Sequence, residues 1–143
     1  MATFLVPSAS GSGSLEFFER TPTDPRRALE RFKVRLTEFE LTALGRVYVG
    51  AAEPSPGVLF AQMAAHWKGW QGDFAWESPA GELELHCARD RAGHVAIRVT
   101  LRSGPGEEDW SVRATILTEA GQLETLARRA AAFFGPDAGD DPQ

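Results

Sequence analysis

Residues 82–87 read ELELHC, with an apolar side chain on every second residue. The same alternation returns in VAIRVTL (residues 95–101) and again in WSVRATI (residues 110–116). A period of two is typical of half-buried strands, because successive side chains of a strand point to opposite faces of the sheet. The three segments therefore predict an antiparallel meander with one apolar face and one charged face.

The turn between the first two segments sets a predicted register. Gly93 suits the left-handed position of a three-residue hairpin loop that ends in a bulge. The apolar pairs expected from this turn are Cys87 with Val95, Leu85 with Ile97 and Leu83 with Val99. Across the second loop the expected pairs are Leu101 with Trp110 and Val99 with Val112. On the charged face, this register places Glu84 opposite Arg98 and Arg113 beside Arg98.

An amphipathic helix is predicted after the meander, with Thr118 as its N-cap. Apolar residues recur at helical spacing, and Gly135-Pro136 ends the pattern. The stripe consists of Leu123, Leu126, Ala127, Ala130 and Phe134. Such a stripe must be buried, and the apolar face of the meander is the expected partner.

The first half of the chain shows weaker patterns of the same kinds. Short strands are expected over residues 3–6 and 15–20, and a pair of strands over residues 32–37 and 41–49. A helix is expected to begin with Ser55 as N-cap and Pro56 in its first turn, with Leu59, Met63, Trp67 and Trp70 as its apolar stripe. The order of strands, helix, three strands and helix predicts a two-layer α+β domain over residues 1–135, with both helices on one face of an antiparallel sheet. Residues 136–143 are expected to form a disordered acidic tail.

Composition limits the possible partners. The formal net charge of −5 argues against nucleic acid, since phosphate binding relies on clustered lysine and arginine. No apolar run is long enough to span a membrane, and the first residues lack the charged-then-apolar pattern of a signal peptide, so a cytoplasmic protein without membrane contact is expected. Cys87 is the sole cysteine, and its position on the apolar face predicts a buried, unreactive thiol.

The charged face of the meander supplies the first candidate site. Its expected binding residues are Glu84, His86, His94, Arg98, Arg102 and Arg113. A solvated sheet surface explains these residues well, and a protein-binding face is the alternative, because arginine is enriched at protein interfaces. In the predicted register His86 and His94 are diagonal neighbours, but two imidazoles without further ligands do not make a metal site. No metal, no cofactor and no catalytic set are therefore predicted.

Aromatic residues around the end of the first helix supply the second candidate. Trp67, Trp70 and Trp76 could line a pocket for a planar ligand, with His66 at its mouth. The alternative is that these tryptophans fill the space between helix and sheet.

Four short motifs carry a resemblance: WKGWQG (residues 67–72), WES (76–78), GHV (93–95) and EAGQL (119–123). They resemble an uncharacterised family of short bacterial proteins common in GC-rich genomes. The strand–strand–strand–helix ending is also similar to that of small acidic immunity proteins, which neutralise polymorphic toxins. That likeness implies an inhibitor that masks the surface of another protein.

The sequence therefore favours a non-enzymatic domain that binds another protein through its charged sheet face. The alternative is a small-molecule-binding or enzymatic domain that uses the tryptophan region. A homodimer formed through an edge strand is a third expectation.

Overall fold

The computed structural model describes residues 2–50, 53–103 and 109–135. Within these ranges the chain forms eight strands and two α-helices. The strands are β1 (Thr3–Pro7), β2 (Ser14–Thr21), β3 (Arg31–Glu38), β4 (Leu41–Tyr48), β5 (Phe74–Glu77), β6 (Leu83–Arg89), β7 (His94–Arg102) and β8 (Ser111–Glu119). The helices are α1 (Pro56–Ala65) and α2 (Leu123–Phe134), the latter preceded by a 3₁₀ turn over Ala120–Gln122. The predicted tail, 136–143, lies outside the described residues.

The strands form two antiparallel sheets of four, each with its strands in chain order. The N-terminal sheet is β1-β2-β3-β4 and the C-terminal sheet is β5-β6-β7-β8. The α+β class and the antiparallel pairing are thus confirmed, whereas one sheet with two helices on one face is wrong. Each half of the chain buries its own apolar sheet face, and these faces enclose a common core with α1 and α2. Phe74–Glu77, for which the sequence indicated no strand, forms the edge strand β5 of the C-terminal sheet.

The helices and the sheets meet at several points. Helix α1 packs on α2 and against β5, while α2 packs against β1. The sheets touch each other directly where β4 meets β7 and where β1 meets β8. One contiguous core therefore extends through the described residues.

The predicted register of the C-terminal meander is wrong by two residues. Leu83 pairs with Leu101 and Cys87 with Ile97 across β6 and β7, and β8 is displaced in the same way relative to β7. Gly93 has the expected left-handed φ, 91°, and the amide of Asp90 donates to the carbonyl of His94 at 3.0 Å. A three-residue loop of this kind places Asp90 opposite His94, so the predicted pairs were wrongly assigned to this turn. A shift of two keeps every side chain on its predicted face, because the side-chain period of a strand is also two.

Of the two predicted helix N-caps, one is confirmed and one is wrong. Ser55 caps α1 as predicted, because its hydroxyl accepts a hydrogen bond from the amide of Gly57 at 3.1 Å. The expected cap Thr118 is wrong: it is a buried residue of β8, and α2 begins only at Leu123. The predicted stripe of α2 is nevertheless confirmed, since four of its residues are buried and Ala127 packs against the core.

Gly45 of β4 lies where the two sheets touch. A methyl group on its Cα would stand 2.6 Å from Cδ1 of Leu101, and that side chain is fully buried. We expect Gly45→Ala to lower the free energy of unfolding by about 1–3 kcal/mol, because the packed core must shift to admit it. Urea denaturation measures this change. Gly121→Ala is the matched control, since nothing lies within 4 Å of its added carbon. Equal stability of the two variants would contradict the close contact between the sheets.

Candidate functional site

Most of the predicted charged residues meet in one shallow depression. Glu84, His86, Arg98, Arg102 and Arg113 line a cavity of about 540 Å³ on the outward side of β6, β7 and β8. We call this surface, together with Asp73 at its rim, the C-terminal face. The register correction changes the neighbours within it, because His86 rather than Glu84 lies opposite Arg98, and Arg113 lies opposite Thr100.

Carboxylates hold two of the three arginines on the C-terminal face. A guanidinium nitrogen of Arg98 lies 2.5 Å from the Asp73 carboxylate, and Nδ1 of His86 lies 3.9 Å from the same oxygen. A guanidinium nitrogen of Arg102 lies 2.6 Å from Oε2 of Glu84. Arg113 has no ion-pair partner among the described residues. The face is therefore close to charge balance. Asp73 was not predicted to belong to this face, because the sequence pattern did not reveal β5, the strand that follows it.

His94 lies apart from the depression, beside the β6–β7 turn. Its Nδ1 is 2.8 Å from Oδ2 of Asp90, and this hydrogen bond raises the pKa of His94. Hydrogen bonds from the His94 amide and ring lower the pKa of Asp90. His86 and His94 are not diagonal neighbours as predicted, because His86 pairs with Arg98, four residues along β7. In the ranges that the structure describes, no three histidine, cysteine or acidic side chains are grouped to hold a metal ion.

The tryptophans divide between the core and the surface. Trp76 is 7% exposed, and its indole N–H donates to the carbonyl of Pro54 at 2.9 Å. Trp70 is half-buried, stacks on Phe74 with ring centroids 5.0 Å apart, and donates to the carbonyl of Cys87. Trp67 is exposed beyond the end of α1, and the ring of His66 meets the edge of Phe74. Trp76 therefore belongs to the core, whereas His66 and Trp67 are exposed and Trp70 is half-buried.

Cys87 lies on the inward side of β6 with no exposed surface. Burial, with a smaller contribution from the charge of Asp73, raises the pKa of its thiol to about 12. Because the thiolate is the reactive form, this cysteine is not a nucleophile near neutral pH.

The outward surface of the N-terminal sheet combines basic and apolar side chains. We call it the N-terminal face, and it consists of Leu5, Glu16, Phe18, Arg31, Lys33, Arg35, Leu44, Arg46 and Tyr48. Leu44 and Tyr48 are 52% and 59% exposed, and Phe39 at the adjoining β3–β4 turn is 81% exposed. The alternation in β3 and β4 indicated the outward direction of these residues, but not that they form one surface.

Arg20 is a buried arginine that the strand pattern placed on the outside. Its guanidinium donates to the carbonyls of Pro22, Arg27, Phe133 and Phe134 at 2.7–2.9 Å. Burial lowers the pKa of this guanidinium, and the charge of Asp24 partly opposes that effect. A bulge in β2, with Glu19 at a φ of 46°, turns Arg20 inward. Arg20 thereby ties β2 to the end of α2.

Comparisons with known proteins extend this description. Neither a curated protein nor a solved structure matches the chain. No helix among the described residues is long and apolar enough to cross a membrane. A family model described as a family of unknown function, DUF6228, matches residues 6–137. That match covers nearly the whole chain and agrees with the expected likeness to an uncharacterised family. The chain belongs to the family of unknown function DUF6228.

Proposed function

We propose that this chain is a protein-binding domain whose partner contacts the N-terminal face. The observation that carries the proposal is the joint exposure of Leu44, Tyr48 and Phe39 beside arginines on one sheet surface. Tyrosine and arginine dominate the binding energy of many interfaces, and apolar side chains at their centre are desolvated on binding. An apolar patch on a sheet whose other side is already buried has no role in the core.

The C-terminal face, with its predicted binding residues, is the second candidate surface for the same function. Its arginines Arg98 and Arg102 already have carboxylate partners, and no large exposed apolar residue is among the described residues that line it. A partner gains little by desolvating ion pairs that are satisfied before it binds. The N-terminal face also holds ion pairs, Lys33 with Glu19 and Arg35 with Glu16. It is favoured because Leu44 and Tyr48 expose apolar surface there that a partner can bury.

The charges of the N-terminal face define the partner. Arg31, Lys33, Arg35 and Arg46 outnumber the acidic Glu16 and the neighbouring Glu19. An acidic protein surface complements this excess, and its approach is accelerated by attraction at low salt. A second copy of the chain is a poorer partner, because a two-fold axis would bring the same cations together.

The similarity to immunity proteins supplies a narrower form of the proposal. In that form the acidic partner is a toxin, and the domain inhibits the toxin by covering its surface. A toxin gene beside the gene for this chain would supply the protein with which to test it.

The two lysines of the chain offer a direct test. Lys33 lies on the N-terminal face and Lys68 lies beyond the end of α1. After affinity capture from its source cells, a lysine-reactive cross-linker should join the partner to Lys33 and not to Lys68. The double substitution Phe39→Ala and Leu44→Ala should weaken binding of the purified partner at least about tenfold, or about 1.4 kcal/mol.

Two controls separate this surface from others. Arg98→Ala changes the C-terminal face, and Arg129→Ala changes an exposed residue of α2. Both should leave the affinity within about twofold of the unmodified chain. If Arg98→Ala abolishes binding while the double substitution has no effect, the partner uses the C-terminal face and the choice of surface is wrong.

A further inference from the structure

A cleft of about 760 Å³ opens at one end of the N-terminal face. Its walls come from the bulge of β2, the first residues of β3, the last residues of β4 and Glu82, which precedes β6. Small-molecule sites have volumes of roughly 300–1,000 Å³, so this cleft has room for an organic ligand.

Strand pairing places the basic side chains of the cleft next to one another. Arg31 pairs with Tyr48, and Lys33 pairs with Arg46, across β3 and β4. Side chains directly opposite each other on one face of an antiparallel pair are in contact range, and two like charges there destabilise the sheet. Lys33 and Arg46 thus bring two positive charges together in the cleft, an arrangement that a bound anion stabilises.

Cations outnumber acids among the described residues that line the cleft, four to two. The Glu19 carboxylate lies 2.6 Å from Nζ of Lys33. Glu82 accepts from the hydroxyl of Ser78 at 2.7 Å and from the amide of Tyr48 at 3.1 Å, so it keeps its negative charge but is held by these two donors. In the described part of the chain, Arg31 and Arg46 have no carboxylate within ion-pair distance.

Arg20 adds a buried positive charge to the wall of the cleft. Its side chain is 4% exposed, and all four of its hydrogen bonds end on neutral carbonyl oxygens. No carboxylate therefore cancels its charge at contact distance. A charge behind a low-dielectric wall raises the potential in the adjoining cleft, and that potential attracts anions.

We propose that this cleft binds a small organic anion, whose carboxylate or phosphate group contacts Arg31 and Arg46 while its apolar body lies against Tyr48. Arg31 and Arg46 occupy diagonal positions on β3 and β4, and their guanidinium groups provide donors suited to planar or tetrahedral oxyanions. Tyr48 is 59% exposed and lies directly opposite Arg31, so its ring offers a flat apolar surface beside the arginines. This site shares Arg31, Arg46 and Tyr48 with the N-terminal face, but its ligand binds without a protein partner. None of the tryptophans that the sequence suggested for a ligand lines the cleft.

Tyr48 is the sole tyrosine of the chain, so its labelled ring gives one unambiguous set of NMR signals. Titration with phenyl phosphate or benzoate should shift these signals to saturation. Inorganic phosphate, which lacks the ring, and phenol, which lacks the charge, should each bind more weakly. Arg46→Gln and Arg31→Gln should each weaken phenyl phosphate binding at least about tenfold.

Arg129→Gln is the control for charge, since it removes an exposed arginine of α2 and should leave the affinity unchanged. Leu44→Ala should also leave the affinity for phenyl phosphate unchanged, because Leu44 does not line the cleft. The same substitution is part of the test of partner binding, so each proposal can fail without the other. Because Arg46→Gln removes a like-charge neighbour of Lys33, it should melt at or above the temperature of the unmodified chain. The proposal is overturned if no aromatic anion shifts Tyr48 at millimolar concentration, if phenol binds as tightly as phenyl phosphate, or if both arginine variants bind normally.

Discussion

Arg20→Met should lower the free energy of unfolding by about 3–5 kcal/mol. The guanidinium donates to the last two carbonyls of α2, those of Phe133 and Phe134, which a helix end leaves without intrahelical partners. Methionine keeps much of the volume but donates nothing, so buried acceptors lose their partners. A positive charge at the end of a helix is also favourable, because the helix dipole is negative there. Urea denaturation followed by circular dichroism measures the loss.

Arg26→Met is the matched control for this substitution. Arg26 pairs with Asp24 at 3.1 Å on the exposed surface, where solvent screens the ion pair, so its loss should change stability little. Arg20→Lys should recover only part of the stability, because an ammonium cannot reach four carbonyls in the planar arrangement of a guanidinium. If Arg20→Met and Arg26→Met are equally mild, then Arg20 does not hold the end of α2 in solution.

Arg20 also shows why strand patterns have limits. Alternation from Leu15 onward places Arg20 on the same side as Glu16 and Phe18, facing solvent. The bulge after Phe18 adds a residue to β2 without adding one to its partner, so the faces exchange from there on. No residue type in this stretch marks the bulge, and a positive φ at Glu19 is unusual for a residue with a side chain.

The fold was predictable where the information is local. The inward residues of β6 and β7 and the stripe of α2 follow from periodicity, because burial alternates with the geometry of each element. Register and sheet division depend on which residues meet across the chain. Every shift by two residues preserves the apolar faces, so the pattern cannot choose between a pairing of Leu83 with Val99 and the observed pairing with Leu101.

For the candidate surfaces too, the sequence identified the residues that follow a local pattern and missed those that meet only in the folded chain. Glu84, Arg98 and Arg113 were identifiable because charged residues alternate with apolar ones in β6, β7 and β8. Phe18 and Leu44 are apolar residues at outward positions, so a pattern that assigns apolar residues to the core gives them no role. The cleft beside them combines residues from the bulge, from two strands and from Glu82. Such a combination appears only when the chain is folded.

Phe134→Ala should lower the free energy of unfolding by about 3–5 kcal/mol. Phe134 ends α2 with no exposed surface, and its ring meets those of Phe4, Phe17 and Phe32 on the three neighbouring strands β1, β2 and β3. The centroid distances of 5.2–6.0 Å and steep interplanar angles are those of favourable edge-to-face pairs. Alanine removes the ring from all three contacts and leaves a cavity. Thermal and urea denaturation both report the change.

Phe39→Ala is the control with the same chemical change, since Phe39 is 81% exposed and its removal should alter stability by less than about 0.5 kcal/mol. Phe134→Leu, which keeps an apolar side chain at the site, should cost less than Phe134→Ala. Both substitutions replace phenylalanine with alanine, and only Phe134 is buried. A difference between their effects therefore measures the packing of α2 on the N-terminal sheet. If Phe134→Ala were as mild as Phe39→Ala, then α2 would not be packed on β1, β2 and β3. In that case the carbonyls of Phe133 and Phe134 would not be held in the position where Arg20 binds them.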